Sequence, residues 1–300
     1  MRVLVTGGTG FVGSETVRVL CDLGHDIAVL GRTRSSDKRV RNIACDIMDP
    51  AALKRGVAEA GASHLLHLAW YAEPGKFWNA TCNLDWVAAS LNLARAFSDS
   101  GGSRLVVAGS CAEYQWSERR LDERATPLRP QTLYGISKAS LFQILERACP
   151  ELNLSLGWGR IFFPYGPYES SQKLLGSLLL AIETNTPANF SSGHQLRDFI
   201  HIHDVARAFS ALVGSDVSGA VNIGSGHTIS VRHFVEMAAR IGAGEALTNF
   251  GARPMQEGEP SELFAATDRL YDEIGFSPVY SLQSGLEAVF TERLAQQSIK

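Results

Sequence analysis

Residues 2–13 read RVLVTGGTGFVG, and this stretch decides the fold. Residues 2–6 form a short run of mostly apolar, β-branched side chains that stops at glycines, which predicts a buried strand. Apolar residues with helical spacing then run from Phe11 to Leu23, and Gly24 follows as a natural C-terminal cap. The chain therefore opens with a strand, a glycine-rich turn and a helix.

The glycine-rich turn has the pattern that a dinucleotide cofactor requires. Gly7, Gly10 and Gly13 lack side chains where a tight turn, a close phosphate and close helix packing would each exclude one. The N-terminus of the next helix offers free N–H groups and a positive dipole to a pyrophosphate. We expect Gly7, Gly10, Phe11, Val12 and Gly13 to bind the cofactor. The alternative is a glycine-rich turn that binds no ligand. The position of the glycine pattern between a strand and a helix argues against this alternative.

Strand and helix patterns alternate through the first half of the chain. The expected strands are Ile27–Leu30, Asn42–Cys45, His64–Ala69 and Arg104–Ala108, and the expected helices follow Asp49-Pro50 and span Asn83–Phe97 and Tyr134–Ala148. Such alternation with short loops predicts parallel βαβ units. The fold class is therefore α/β, a doubly wound parallel (Rossmann) sheet.

The second half is less regular, and it predicts a smaller C-terminal substrate-binding lobe. Prolines and glycines interrupt the pattern after about Arg160, and short apolar runs return at Phe199–Ile202 and Ala220–Ile223. We expect a dinucleotide-binding domain at residues 1–163 with returning segments near 199–224. The lobe then comprises residues 164–198 and 225–300.

Two loops at the ends of expected strands bear on which cofactor is bound. After the second strand the chain reads Gly31-Arg32-Thr33-Arg34-Ser35, without the acid that usually binds the ribose 2′-OH of NAD. Guanidinium groups suit a 2′-phosphate, so NADP(H) is favoured, with Arg32 as its partner, and NAD(H) remains possible. Asp46 and Ile47 follow the third strand, where they would contact the adenine. Solvated loops are the alternative at both places.

Tyr134 and Lys138 are spaced four residues apart on one face of an expected helix. A free tyrosine has a pKa near 10, and a neighbouring lysine together with a nicotinamide cation would favour the phenolate. Ser110, at the end of the fifth strand, would hydrogen-bond the same reacting oxygen. We expect Ser110, Tyr134 and Lys138 to be catalytic, with Tyr134 and Lys138 also contacting the cofactor.

The glycine loop with Ser110, Tyr134 and Lys138 resembles the extended short-chain dehydrogenase/reductase family, in its nucleotide-sugar epimerase/dehydratase/reductase branch. Further similar segments are RIFFPYGP at 160–167, RDFIHIHD at 197–204, NIGSG at 222–226 and Arg253-Pro254. The resemblance implies that the C-terminal lobe binds a nucleoside-diphosphate sugar, with Arg197 and Arg253 on the diphosphate. Surface ion pairs are the alternative for both arginines. The resemblance also implies a homodimer formed through two helices of each subunit.

The departures from this family indicate the reaction. Its 4,6-dehydratases carry Thr-Asp-Glu where this chain has Ser110-Cys111-Ala112, so both elimination acids are missing and 4,6-dehydration is not expected. Cys111 is placed among the substrate-binding residues, either as a reactive thiol or as a small packing residue. Phe163 stands where the family usually has asparagine, which argues mildly against an epimerase that binds hexoses through that amide.

Two enzymatic functions remain open. The first is NADPH-dependent reduction of a nucleotide-linked 4-keto-6-deoxy sugar at C4, in deoxysugar biosynthesis. The alternative is an NAD(P)-dependent nucleotide-sugar 4-epimerase, which needs the same serine, tyrosine and lysine. A catalytically silent NADP-sensing regulator is a third interpretation, and the presence of both Tyr134 and Lys138 argues against it.

Composition limits the partners and the compartment. The 300 residues carry a net charge of −3, without a basic run that would hold nucleic acid or anionic lipid. Five scattered cysteines without a C-x-x-C pair predict reduced thiols and no metal site. The longest apolar stretch, Leu174–Ile182, is too short to cross a bilayer. We therefore expect a cytoplasmic protein.

Overall fold

A parallel seven-stranded sheet forms the centre of the computed structural model, which describes residues 1–116, 120–255 and 258–297. Its strands lie in the order β12-β7-β5-β4-β1-β2-β3, so that the chain moves outward from β1 in both directions. The strands are β1 (Arg2–Thr6), β2 (Asp26–Gly31), β3 (Arg41–Ala44), β4 (His64–His67), β5 (Arg104–Ser110), β7 (Ser155–Ile161) and β12 (Gly219–Ile223). The expected Rossmann sheet is confirmed.

Helices cover both faces of this sheet. They are α1 (Phe11–Asp22), α2 (Pro50–Ala60), α3 (Asn83–Asp99), α4 (Leu133–Glu151) and α6 (Ile202–Val213). Side chains of a strand alternate between faces, so Leu4 packs in one apolar core while Val3 and Val5 pack in the other. Helices α1 and α6 pack together on one face, and α2, α3 and α4 pack side by side on the other.

The contact between β1 and α1 depends on two glycines. Gly7 adopts a φ of +72°, and a Cβ there would lie 2.6 Å from the backbone nitrogen of Ala69. A Cβ on Gly13 would lie 2.0 Å from the carbonyl oxygen of Gly7. Both positions exclude any larger residue, so the turn, the first turn of α1 and the end of β4 are held in close contact.

Smaller sheets and three helices build the second lobe. Strands β13, β10, β15 and β6 form one sheet, β11 pairs with β8, and β14 pairs with β9. Their bounds are β6 (Arg120–Leu121), β8 (Phe163–Tyr165), β9 (Ala188–Phe190), β10 (Leu196–Arg197), β11 (Phe199–His201), β13 (Ile229–Ser230), β14 (Thr248–Phe250) and β15 (Glu262–Ala265). Helices α5 (Leu174–Thr184), α7 (Val231–Ile241) and α8 (Leu282–Gln297) enclose a separate apolar core.

The expected elements of the first half are present with ends shifted by a few residues. Asp49 caps α2 by accepting hydrogen bonds from the backbone nitrogens of Ala51 and Ala52. Strand β7 had no clear pattern in the sequence. The limits of the two domains stay a prediction: β12 belongs to the main sheet as expected, whereas β6 lies in the sheet of the lobe.

Replacing Gly13 by alanine should destabilise the fold. The added methyl group cannot avoid the Gly7 carbonyl, and overpacking of this kind costs about 1–3 kcal/mol of unfolding free energy. Gly31→Ala is the matched control, because a Cβ there meets nothing within 4 Å. Urea unfolding of both variants measures the difference. Equal free energies for the two would contradict the close contact.

Candidate active site

Ser110 and Tyr134 meet where β5 ends and α4 begins. The start of α4 lies close to the turn after β5, since a Cβ on Gly135 would be 2.3 Å from the carbonyl oxygen of Ala112. This approach lets the Ser110 side chain hydrogen-bond with the Tyr134 phenol. The structure therefore brings together the serine and tyrosine that the sequence predicted as a pair.

Lys138 lies one turn further along α4 and is almost fully buried, with 3% of its surface exposed. Its Nζ donates to the carbonyl oxygen of Ala108 at 2.7 Å and lies 3.8 Å from the centre of the Trp70 ring. Burial lowers the pKa of Lys138 from 10.5 to about 7, and the charge of Glu113 acts in the opposite direction. The lysine is thus held near its titration point at neutral pH.

In the chain without a cofactor, the surroundings of Tyr134 raise the pKa of its phenol, and the expected effect of a bound nicotinamide cation stays a prediction. Burial raises the pKa of the phenol, the Ser110 hydrogen bond lowers it only in part, and the charge of Glu113 raises it further. Nζ of Lys138 is hydrogen-bonded to Ala108 and lies over Trp70. The phenol therefore stays protonated at neutral pH in this structure.

Aromatic side chains surround the Tyr134 ring. Phe77, Trp78 and Trp70 stand roughly perpendicular to it, with ring centres 4.9, 5.8 and 6.4 Å away. The sequence left open whether these residues shape a sugar pocket or pack in the core, and their contact with the phenol places them at the candidate site.

Asn83, which sequence reasoning missed, fixes the segment that carries these aromatics. It is fully buried at the first position of α3, where its Oδ1 accepts from Trp70 Nε1 at 2.8 Å. Its Nδ2 donates to the carbonyl oxygens of Phe77 and Ala80, both at 2.8 Å. In the sequence, an asparagine at the start of an expected helix is only a weak signal for this role.

His67 also has a role that the sequence did not indicate. Its Nδ1 lies 2.6 Å from Thr6 Oγ1 and its Nε2 lies 2.8 Å from Ser90 Oγ. Burial, with a smaller effect of the Lys138 charge, lowers its pKa to about 3. A neutral His67 therefore ties the ends of β1 and β4 to α3 beneath the glycine loop.

The glycine loop fits a dinucleotide pyrophosphate. Gly10 is the N-cap of α1 and has no side chain to satisfy the first N–H groups of that helix. These groups, including those of Phe11, Val12 and Gly13, lie at the carboxyl edge of the sheet, beside the point where β1 and β4 diverge. The residues present can hold the cofactor.

The other predicted cofactor residues follow the second and third strands. Arg32 is exposed directly after β2. Asp46 is also exposed, and its Oδ1 accepts from the backbone nitrogen of Met48 at 3.0 Å. Ile47 is buried in the apolar core. Their roles toward a cofactor stay predictions.

Of the three predicted substrate residues, Arg197 and Cys111 are buried and Arg253 is exposed. Arg197 is buried and lies over the Phe163 ring, and its Nη2 donates to Glu259 Oε1 at 2.7 Å. Cys111 is buried near Arg197, and burial raises its thiol pKa to about 12, which suits a packing residue better than a reactive thiolate. Arg253 is exposed, and its backbone nitrogen donates to the Phe190 carbonyl at 3.1 Å. The substrate roles of all three stay predictions.

Within residues 1–116, 120–255 and 258–297, no group of three or more histidine, cysteine or acidic side chains is placed to hold a metal ion. None of the helices described there has the length and apolar character needed to cross a bilayer.

Comparison with known proteins identifies the family. The profile of the "NAD dependent epimerase/dehydratase family" matches residues 3–224. The chain belongs to this family. Its similarity to an extended short-chain dehydrogenase/reductase of the nucleotide-sugar branch is thereby confirmed.

Relatives within the family act on nucleotide sugars. The UDP-glucose 4-epimerase of Corynebacterium glutamicum is 26% identical over 311 residues, covering 94% of this chain and 92% of that protein. The dTDP-6-deoxy-L-talose 4-dehydrogenase (NAD(+)) of Aggregatibacter actinomycetemcomitans is 29% identical, covering 79% of this chain and 88% of that protein. The structure of MoeE5 in complex with UDP-glucose and NAD is 28% identical, with a TM-score of 0.86 over the full length of both chains.

Replacing Lys138 by methionine should change how stability depends on pH. Between pH 7 and 10.5 the unfolded chain keeps the lysine proton while the folded protein releases it, so this group makes stability rise with pH. Unfolding free energy measured at pH 7 and about pH 9.5 should therefore rise by about 1–3 kcal/mol more in wild type than in Lys138→Met. Lys54→Met, at an exposed position on α2, is the control and should retain the wild-type slope. Parallel slopes for wild type and Lys138→Met would contradict the lowered pKa.

Proposed function

We propose that the protein is a nucleotide-sugar 4-epimerase that uses NAD(P) to oxidise and then reduce C4 of the sugar. The observation that carries this proposal is the pairing of the Tyr134 phenol with Ser110 beside the glycine loop. The carboxylate of the same turn, Glu113, is fully buried and engaged by Arg160. The site therefore offers one acid–base group, the Tyr134 phenol, whereas the carboxylate of the turn is held by Arg160 and supplies no acid for an elimination.

Each catalytic side chain has a separate task in this proposal. Tyr134 takes the proton of the C4 hydroxyl during oxidation and returns it during reduction. Ser110 donates a hydrogen bond to the same oxygen and so orients it. Lys138, held by the Ala108 carbonyl and the Trp70 ring, would contact the cofactor ribose, and its pKa near 7 lets it be charged or neutral there.

A nicotinamide dinucleotide would be held by the glycine loop, the first turn of α1 and Lys138. When bound, it supplies the hydride acceptor and donor and, in its oxidised form, a positive charge. Because the chain alone raises the pKa of Tyr134, we expect proton removal to depend on that added charge. Aromatic side chains around the phenol exclude water from the reacting oxygen.

Relatives support epimerisation over net reduction. Several curated relatives that match at least 93% of this chain are UDP-glucose 4-epimerases. We propose that the substrate carries a nucleoside diphosphate, with Arg197 and Arg253 on its phosphates. A homodimer, a cytoplasmic location and the contacts of Arg32, Asp46, Ile47 and Cys111 belong to the same proposal.

The second candidate is NADPH-dependent reduction of a nucleotide-linked 4-keto-6-deoxy sugar at C4. Arg32 after β2 favours it, since a guanidinium there suits the 2′-phosphate of a cofactor that is consumed in each turnover. The similarity to a dTDP-6-deoxy-L-talose 4-dehydrogenase supports it as well.

Two assays on the purified protein separate the candidates. The first follows interconversion of UDP-glucose and UDP-galactose by chromatography, with NAD present in catalytic amounts. The second follows absorbance of NADPH with dTDP-, CDP- and GDP-linked 4-keto-6-deoxy sugars. Interconversion without net cofactor consumption supports the epimerase, and stoichiometric loss of NADPH supports the reductase. Inactivity in both assays would contradict both candidates.

Tyr134→Phe should keep nucleotide binding and lower kcat by about 100- to 10,000-fold, because it removes only the proton-transferring hydroxyl. Cofactor affinity is measured by fluorescence titration and turnover by the assay that detects activity in wild type. Near-normal turnover in Tyr134→Phe would exclude the assigned role.

Arg32→Ala should weaken NADPH binding by about tenfold or more, and NADH binding much less, because charge-assisted hydrogen bonds to a phosphate contribute about 1.5–3 kcal/mol. Arg34→Ala is the matched control from the same loop and should affect both cofactors weakly. Equal losses for NADPH and NADH in Arg32→Ala would show that Arg32 does not bind the 2′-phosphate.

A further inference from the structure

Glu113 is the last residue of the short turn that begins after Ser110. Its side chain is fully buried, and its Oε1 accepts a hydrogen bond from the backbone nitrogen of Ser110 at 2.8 Å. In return, the Ser110 hydroxyl oxygen accepts from the backbone nitrogen of Ala112 at 3.2 Å. This reciprocal arrangement is a capping box, and it fixes both the backbone and the side chain of Ser110.

The Ala112 contact also decides which part of the Ser110 hydroxyl is available. Because the oxygen already accepts from the backbone, the hydroxyl proton remains free to be donated. The Tyr134 phenol is a hydrogen-bond partner of this hydroxyl. A shift of the turn would redirect this proton.

Strand β7 holds Glu113 in place. Trp158 Nε1 donates to both carboxylate oxygens at 3.0 and 3.1 Å, and Arg160 Nε donates to Oε2 at 2.7 Å. Gly109 leaves the space for this contact, since a Cβ there would lie 2.1 Å from Trp158 Nε1 and 2.6 Å from Glu113 Oε1. The carboxylate thus connects the ends of β5 and β7 with fixed geometry.

The connection continues to the edge strand of the sheet. Arg160 Nη1 donates to the Tyr114 hydroxyl at 2.9 Å, and this hydroxyl donates to Asn222 Oδ1 at 2.8 Å. Asn222 Nδ2 donates in turn to the carbonyl oxygen of Leu121 at 2.8 Å. Burying Glu113 and Arg160 costs desolvation, which their mutual attraction and this series of hydrogen bonds offset, and the series fixes the carboxylate at the Ser110 backbone nitrogen.

We propose that Glu113 is a positioning residue, which directs the Ser110 hydroxyl toward the reacting oxygen by holding the Ser110 backbone nitrogen. The inference rests on the proposed function of Ser110 and Tyr134. The negative charge of Glu113 also acts on its neighbours, because it raises the pKa of both Tyr134 and Lys138.

The test compares two double variants that leave no buried charge unpaired. Glu113→Gln with Arg160→Met keeps an oxygen that accepts from the Ser110 nitrogen, whereas Glu113→Met with Arg160→Met has the same length and no acceptor. The methionine pair should lose about 100-fold in kcat relative to the glutamine pair, with KM changed by less than about threefold. Melting temperatures and cofactor affinity, measured on the same preparations, report whether both pairs are folded.

Ser110→Ala distinguishes positioning from a general structural role. In that background there is no hydroxyl to direct, so the methionine and glutamine pairs should have the same kcat. A 100-fold difference that persists in the Ser110→Ala background would overturn the proposal, as would equal kcat values for the two pairs with Ser110 present.

Glu113→Asp provides a second test if the methionine pair does not fold. It keeps the charge for Arg160 and shortens the reach to the Ser110 nitrogen, so it should lower kcat when Ser110 is present and leave kcat unchanged in Ser110→Ala. An equal loss in both backgrounds would overturn the proposal. If wild type turns over substrate and Ser110→Ala does so equally fast, the proposed function is overturned, and this inference with it.

Discussion

All seven strands of the main sheet run in the same direction, and this constraint determines where chemistry can occur. Parallel strands place their carboxyl ends at one edge, so the glycine loop, His67 and Ser110 converge although they are far apart in sequence. The order of the strands reverses at β1, which has β2 on one side and β4 on the other, and such a switch point opens a crevice there. The close contact of Gly7, Gly13 and Ala69 then brings the first turn of α1 to the floor of that crevice.

Much of this was predictable from sequence, because the decisive signals are local. A strand, three glycines and a helix follow each other within residues 2–23, and Tyr134 and Lys138 share a helix face. Neither pattern depends on distant residues. The parallel fold and the serine–tyrosine pair followed from them.

Features that depend on distant partners were not predictable in the same way. Strand β7 reads SLGWGRI, and its glycines obscure an apolar pattern while admitting side chains of α6 such as Phe209. Glu113 gains its role from Trp158 and Arg160, which lie 45 and 47 residues away. Burial of Tyr134, which raises the pKa of its phenol, likewise depends on side chains from other elements.

The hydrogen bond from Tyr114 to Asn222 joins residues 108 positions apart, and this has a consequence for the newly made chain. At about 5–20 residues per second, a ribosome needs roughly 5–20 s to add that length. Until β12 emerges, β7 remains an unpaired edge of the sheet, and the support of the catalytic turn is incomplete. An unpaired edge strand of this kind is open to edge-to-edge association with other chains.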